Sequence, residues 1–293
     1  MVEWMITKTY DGILIRDFLR KEQDFSKRIL KAIIHDGGQI LVNDAPKTVR
    51  YQLQLGDRLT VRFPKEQKGI NMVPENVPID IVYEDEAVLV IQKQAGVATI
   101  PSPHHRVGTI ANGVLAHYQK HDVPYTVHVV TRLDRDTSGL LLIAKHRYSH
   151  SILSDSQKQG LVKRSYFAIV EGIMDRKKGT MKWNIGRKEG SIIERVVSAE
   201  GQRAITHYTV KKEYKSHSLV EIELETGRTH QIRVHFSHAG HPLAGDDLYG
   251  GRKTELNRQA LHCSQLTFEH PTTKECMTFT SAIPEDMHRL MNL

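Results

Sequence analysis

The chain has 293 residues, of which 39% are hydrophobic and 6% aromatic, ordinary for a soluble protein with one large core and room for a small appendage. A formal charge of +7 and a pI near 9.3 favour a polyanionic partner. Cys263 and Cys276 make neither a disulfide framework nor a zinc spacing, no apolar run reaches the ~18 residues of a membrane span, and the first residues lack the basic-then-apolar order of a signal peptide. A cytoplasmic protein with no membrane association is expected.

Residues 12–62 read as a small α+β unit. Ile13, Ile15, Phe18 and Leu19 predict a short amphipathic helix, and Ser26 caps a second with Ile29, Leu30, Ile33 and Ile34 on its apolar face, ended by Gly37-Gly38. Lys27, Arg28 and Lys31 then share the outer face. Strands follow at 39–42 and 45–49 around Asn43-Asp44, with another over 55–61. A basic helix face is by itself ordinary solvated surface. The order of elements and the phrases Ser26-Lys27-Arg28, Gly38-Gln39-Ile40-Leu41-Val42-Asn43 and Leu55-Gly56-Asp57 nevertheless resemble the S4 domain, an RNA-binding module. That resemblance implies that Lys27, Arg28 and Lys31 bind RNA phosphates, giving affinity without base sequence.

Residues 63–76 lack periodicity and read as a linker, and the larger unit covers 77–293. Strands at 79–82 and 88–92 flank Glu84-Asp85-Glu86, and Lys93-Gln94-Ala95-Gly96 follows. His104-His105-Arg106 forms a polar loop in which a metal reading fails for want of a ligand cluster. Ile110, Val114 and Leu115 predict a helix over 109–118.

Between the apolar runs 127–130 and 140–144 stands Arg132-Leu133-Asp134-Arg135-Asp136-Thr137-Ser138-Gly139. Three charges and a Thr-Ser-Gly corner on rigid strands make either a solvated turn or a reactive loop. The octet resembles the catalytic loop of the RluA/RluD family of RNA pseudouridine synthases, although Thr131 stands where that family usually has His. The preceding Lys-x-x-Gly phrase resembles the end of that family's opening strand pair, with Gln94 in place of proline.

Further on, a helix is expected over 148–159 and a strand over 163–172, whose Tyr166 reads first as a packing residue. Residues 173–200 look like an excursion with short strands around Trp183 and Ile192, before better strands at 204–210 and 219–225. Thr229 is the expected cap of a helix over 230–240, with Ile232, Phe236 and Ala239 on one face and Arg233 beside them. His230, His235, His238 and His241 fall around that helix rather than on one face, which argues against a metal site. The phrase 226–242 resembles the family's third motif, and Gly245–Gly250 with Leu261-His262 and Phe268–Pro271 its closing pattern.

The resemblance implies a mixed, mainly antiparallel sheet with flanking helices, an α+β fold, preceded by the small RNA-binding unit. It also implies roles. Asp134 is the nucleophile, attacking ribose C1′ or taking the proton that lets a glycal form. Arg233 pairs with its carboxylate through a planar fork that meets both oxygens. Tyr166 stacks on the uracil, and Arg132 enters the RNA stack as the uridine leaves. Asp136 reads as a cap for the Thr137 and Ser138 amides. Exchange of a C–N for a C–C bond within one nucleotide gains no atom and no electron, so no cofactor and no metal is expected. The substrate expected is RNA, large-subunit ribosomal RNA first and transfer RNA as the alternative, acted on by a monomer. A noncatalytic RNA-binding assembly factor is the reading from another class.

Overall fold

Short apolar alternation broken by turn residues builds the N-terminal unit. In the computed structural model, which describes residues 1–66, 72–102 and 106–291, its strands are β1 (Val2–Met5), β2 (Gln39–Val42), β3 (Ala45–Pro46) and β4 (Arg58–Arg62). They form an antiparallel sheet in the order β1-β4-β2-β3, so that β1, ahead of the segment 12–62, completes it. The first helix, α1 (Ile15–Asp17), runs into a wider π-turn at Phe18–Glu22. In α2 (Lys27–His35) the Ser26 hydroxyl accepts from the Ile29 amide, satisfying one of the free N–H groups of the first turn. Ile29, Leu30 and Ile33 are buried, whereas Ile34 in the last turn is 48% exposed. Two of the three S4-like phrases meet at Asp57, which accepts from Asn43 Nδ2 at 2.8 Å and from the Gln54 amide at 2.9 Å.

The larger unit carries β5 (Asp80–Glu84), β6 (Val88–Lys93), α3 (Ile110–Lys120), β7 (His128–Val129), β8 (Ser138–Ala144) and α4 (Arg147–Lys158). It continues with β9 (Lys163–Glu171), β10 (Lys178–Met181), β11 (Ile185–Arg187), β12 (Arg195–Val197), β13 (Thr206–Glu213) and β14 (His217–Leu224). Then come α5 (Gln231–His238), β15 (Leu261–Glu269), β16 (Cys276–Thr280) and α6 (Glu285–Met291). One ten-stranded sheet runs β10-β13-β14-β9-β15-β8-β6-β5, with β16 on β15 and β7 on β8, while β11 and β12 pair apart. Every pairing among the described residues is antiparallel except β8 with β15, at Ser138–His262 and Gly139–Cys263. The fold is therefore the mixed, mainly antiparallel α+β sheet expected.

Alternation decides which residues reach which layer. On β9, Tyr166, Ala168 and Val170 join the main core with Ile110 and Val114 of α3 and Ile232 and Phe236 of α5. Ile169 between them packs with Met287 and Leu290 of α6. β8 is buried at all seven positions, as a strand covered on both faces must be. The excursion's short strands lie on either side of Trp183 and Ile192, not around them, and Ile192 is exposed.

The small unit rests on α4. Phe25 lies 4.2 Å from the Tyr148 ring, Phe63 lies 4.5 Å from His146, and the Tyr148 hydroxyl donates to the Gln23 carbonyl at 3.0 Å. Glu66 meets His128 Nε2 at 2.6 Å and accepts from the Arg147 amide at 3.0 Å. Of the linker expected at 63–76, residues 67–71 lie outside the described residues, as do His104 and His105. Among the described residues no helix is long and apolar enough to cross a membrane.

Candidate active site

The loop from Arg132 to Gly139 leaves β7 and enters β8, and its backbone is fixed from several sides. Thr131 is fully buried and its hydroxyl accepts from the Leu142 amide at 3.0 Å. The Thr137 amide donates to the Asp134 carbonyl at 3.1 Å, closing the turn. Thr99 donates to the Leu133 carbonyl at 2.8 Å, and Lys93 Nζ donates to the carbonyls of Gln94, Val97 and Arg135 at 2.7–2.8 Å. Asp134 thus stands between two residues whose carbonyls are tied down. Burial pushes the Lys93 ammonium down to about 7, against the pull of Asp136 and Asp134. Gln259 Nε2 donates to Thr137 Oγ1 at 3.1 Å, and Arg258 Nη1 to the Asp136 carbonyl at 3.3 Å. The Asp136 carboxylate does not cap Thr137 and Ser138. It takes the Arg135 guanidinium, with Nε at 3.1 Å, because a cation one residue away competes better than a neutral amide.

The opposite wall is α5. Thr229 does not cap it. His230 precedes the helix in the left-handed region at φ 57°, and Gln231 reaches back to accept from the Arg228 amide at 3.0 Å and the Thr226 hydroxyl at 2.8 Å. That arrangement aims Arg233, 7% exposed, at two carboxylates. Its Nε and Nη2 donate to the two Asp246 oxygens at 2.7 Å each, and Nη1 reaches Asp134 Oδ2 at 3.2 Å. The fork therefore holds Asp246 in the bidentate manner expected for Asp134, and Asp134 receives one bond. Nor does Arg233 snorkel to water. Burial works against its charge, and Asp246, then Asp134, more than offset that and hold it above the usual guanidinium range.

Tyr249 caps this cluster. Its ring lies 4.9 Å from Arg233 Cζ, and its hydroxyl meets His230 Nδ1 at 2.7 Å and the Arg195 amide at 3.0 Å. His230 Nε2 is 3.8 Å from Asp134 Oδ2, and burial lowers the His230 pKa although Asp134 opposes it. His235 instead bonds Thr206 and the Trp183 carbonyl, and His241 the Glu171 carbonyl. The histidines of this helix diverge.

These groups line a cleft of about 890 Å³, with Asp134, Tyr166, Arg233, Arg164, Leu261 and the exposed Arg132 in its wall. Tyr166 is 4% exposed, and burial raises its phenol well above the usual range. A second cleft of about 450 Å³ shares Arg132, Arg195 and Arg228 and adds Arg187. Lys27, Arg28 and Lys31 are exposed on α2, away from both. The structure therefore brings Asp134, Tyr166, Arg233 and Arg132 together and leaves the α2 cations apart. Sequence reasoning passed over Asp246, Lys93, Thr99 and Gln259 as participants. Asp246 stood in a quoted phrase, but nothing local to it signals a partner 13 positions back.

Comparison with known proteins shows the family of the chain. The profile of the RNA pseudouridylate synthase family matches residues 87–238. The chain is 53% identical over 270 residues to an uncharacterized RNA pseudouridine synthase of Bacillus subtilis, YjbO, covering 92% of this chain and 95% of that one. It is 36% identical over 283 residues to ribosomal large subunit pseudouridine synthase D of Neisseria meningitidis, covering 92% of this chain and 75% of the relative. Among solved structures, human RNA pseudouridylate synthase domain containing 1 matches with a TM-score of 0.59 at 25% identity, over 71% of this chain and 84% of that one.

Proposed function

The chain belongs to the RNA pseudouridylate synthase family, an isomerase acting on RNA, and on that premise we propose that it converts specific uridines of large-subunit ribosomal RNA to pseudouridine, with Asp134 as nucleophile. The observation that carries the assignment is the carboxylate of Asp134 in the cleft wall, bonded by Arg233 Nη1 while its neighbours on both sides are anchored. Ribosomal RNA is favoured by the relative named as a large-subunit enzyme.

A carboxylate that attacks, or that removes a proton, must be charged and held still, and one bond from Arg233 does the second without covering both oxygens. Asp134 either bonds ribose C1′ as the N1–C1′ bond breaks or takes the C2′ proton to leave a glycal. In both cases the freed base turns and its C5 bonds C1′, which releases the Asp134 carboxylate from C1′ in the first route and returns a proton to C2′ in the second, and the C5 proton is lost while N1 gains one. Tyr166 offers its ring face to the uracil. With its pKa raised by burial, the hydroxyl stays protonated and serves as a donor rather than as a phenolate base. Arg132 enters the stack vacated by the base, whose extrusion costs a few kcal/mol. Arg187, Arg195 and Arg228 around the second cleft, and Lys27, Arg28 and Lys31 on the S4-like unit spanning 12–62, take backbone phosphates that offset this cost.

Mapping pseudouridines in total RNA with and without the gene tests the substrate, and sites confined to transfer RNA would replace the ribosomal reading. Asp134→Asn keeps the size of the side chain and removes its charge. Tritium release from RNA carrying 5-tritiated uridine should vanish while RNA binding persists, and a rate within tenfold of the parent would remove Asp134 from the mechanism.

A further inference from the structure

Among the cations lining the cleft, Arg164 has no part in the mechanism above. Arg164 lies two residues before Tyr166 on β9, so both side chains leave the strand on the same face. Its Nε is buried and has no hydrogen-bond partner, and it forms no ion pair among the described residues. Most other arginines near the site are either neutralised, as Arg233 is by two carboxylates, or exposed, as Arg132 and Arg228 are. Arg164 is half-buried and charged with nothing opposite it. Room is kept for it by Gly227, where a Cβ would stand 2.8 Å from Arg164 Nη2. Its charge is felt at the Tyr166 hydroxyl, where it works against the rise due to burial. A half-buried guanidinium without a partner in the wall of a cleft gives up part of its hydration and gains nothing for it in the free protein. Such an arrangement suits a site for negative charge brought by a ligand.

The reaction supplies that charge. When N1–C1′ breaks, the bonding electron pair stays on the base, and the ring carries a negative charge shared among N1, O2 and O4 until C5 bonds C1′. This holds for the ribosyl-ester and glycal routes alike. We propose that Arg164 is a further catalytic residue, donating to a carbonyl oxygen of the departing uracil and stabilising the anion between the two bond changes. The inference rests on the pseudouridine synthase reading and on the base lying against Tyr166. A fixed donor aimed at developing charge in a water-poor site is worth on the order of 100-fold to 1,000-fold in rate.

The test uses the full chain and an in vitro transcript spanning a mapped uridine, made once with 5-tritiated uridine and once with 5-fluorouridine. Fluorine at C5 stabilises the uracil anion by itself and so lowers the demand on Arg164. In single turnovers, Arg164→Met should slow rearrangement of uridine about 100-fold with RNA affinity within about threefold of the parent. On 5-fluorouridine, scored as C-glycoside formed, the deficit should shrink to about tenfold or less. Arg164→Lys should recover about tenfold on uridine, since it keeps a cation but not the fork. Arg164→Met should melt no lower than the parent, because no partner is lost. Equal deficits on both substrates, a Lys variant no better than Met, an effect confined to affinity, or a Met variant that does not fold would each overturn the proposal. A parent enzyme inactive on the transcript would instead overturn the functional reading beneath it.

Discussion

Arg233 serves two carboxylates, and the stronger claim on it is from Asp246, not from the proposed nucleophile Asp134. Asp246 is 1% exposed, so removing it leaves a buried guanidinium with a single bond to Asp134. Breaking a buried pair by deleting one partner costs about 3–5 kcal/mol. Asp246→Ala should lower the urea midpoint accordingly and also slow tritium release, and an unchanged midpoint would mean the pair contributes nothing to the fold. Arg233→Lys should be nearly as harmful to turnover as Arg233→Ala, since an ammonium cannot grip Asp246 and reach Asp134 together. A fully active lysine variant would dissociate Arg233 from the chemistry. Lys93 adds a pH dependence. Its folded pKa is about 7 against an ordinary 10.5, burial being the main cause. Below about pH 7 both folded and unfolded chains hold the proton and the burial cost stands in full. Between pH 7 and 10.5 the folded chain releases it first, so stability rises with pH by at most about 1.4 kcal/mol per unit. Compared with Lys93→Met, the parent should therefore gain stability from about pH 7.5 to 9.5 in denaturant titrations, whereas parallel curves would place the lysine pKa near its ordinary value. At this scale Asp134 and Arg233 were legible because they sit in distinctive phrases. Asp246 and Lys93 act through bonds that no local pattern encodes, and Asp136 and Thr229 went wrong because each had a nearer competitor, Arg135 in one case and the Gln231 side chain in the other.

Elements were read more reliably than contacts, since period-2 and period-3.6 patterns are local and partner choice is not. β8 and β9 appear where their apolar runs predict, as does α3, with the Thr109–Asn112 capping box at its start. What the pattern could not give was that β8 pairs with β15, more than a hundred residues later, and does so in parallel. That pairing depends on Gly139. Its φ is +114°, and a Cβ there would lie 2.2 Å from the Cys263 carbonyl oxygen and 2.5 Å from its amide nitrogen. The close approach lets the loop bearing Asp134 join the half of the sheet that carries Tyr166. Gly139→Ala combines a backbone conformation that costs about 1–3 kcal/mol with a clash against main chain that cannot move aside. The variant should lose at least 3 kcal/mol, roughly, in urea unfolding and lose turnover even where it folds. A protein with normal stability would show that β8 and β15 can separate without harm.

Over the whole molecule, two units and their junction were expected, but not that the junction is packed. Tyr148 was legible as the first residues of a helix; that it is fully buried against Phe25 and Phe63 depends on how the two units meet, which no segment records. The packing bears on how RNA is held, because α2 is carried on a unit seated against α4 rather than on a free tether. Lys27, Arg28 and Lys31 are exposed and make no ion pair among the described residues, as cations reserved for phosphate would be. Replacing all three by alanine on the full chain should remove the two or three phosphate contacts proposed for them, and none of the three lines the cleft. Each neutralised phosphate contributes about −0.7 to the slope of log affinity against log salt on single strands and about −0.9 on duplex, so the slope should flatten by roughly 2 units. Single-turnover tritium release at saturating RNA should stay within about twofold of the parent, with the loss appearing in the RNA concentration needed to reach it. An unchanged salt slope would give α2 some other task. A flattened slope with turnover lost at saturation would mean that the N-terminal unit helps shape the substrate inside the cleft, and that affinity and chemistry are not separable along the boundary between the two units.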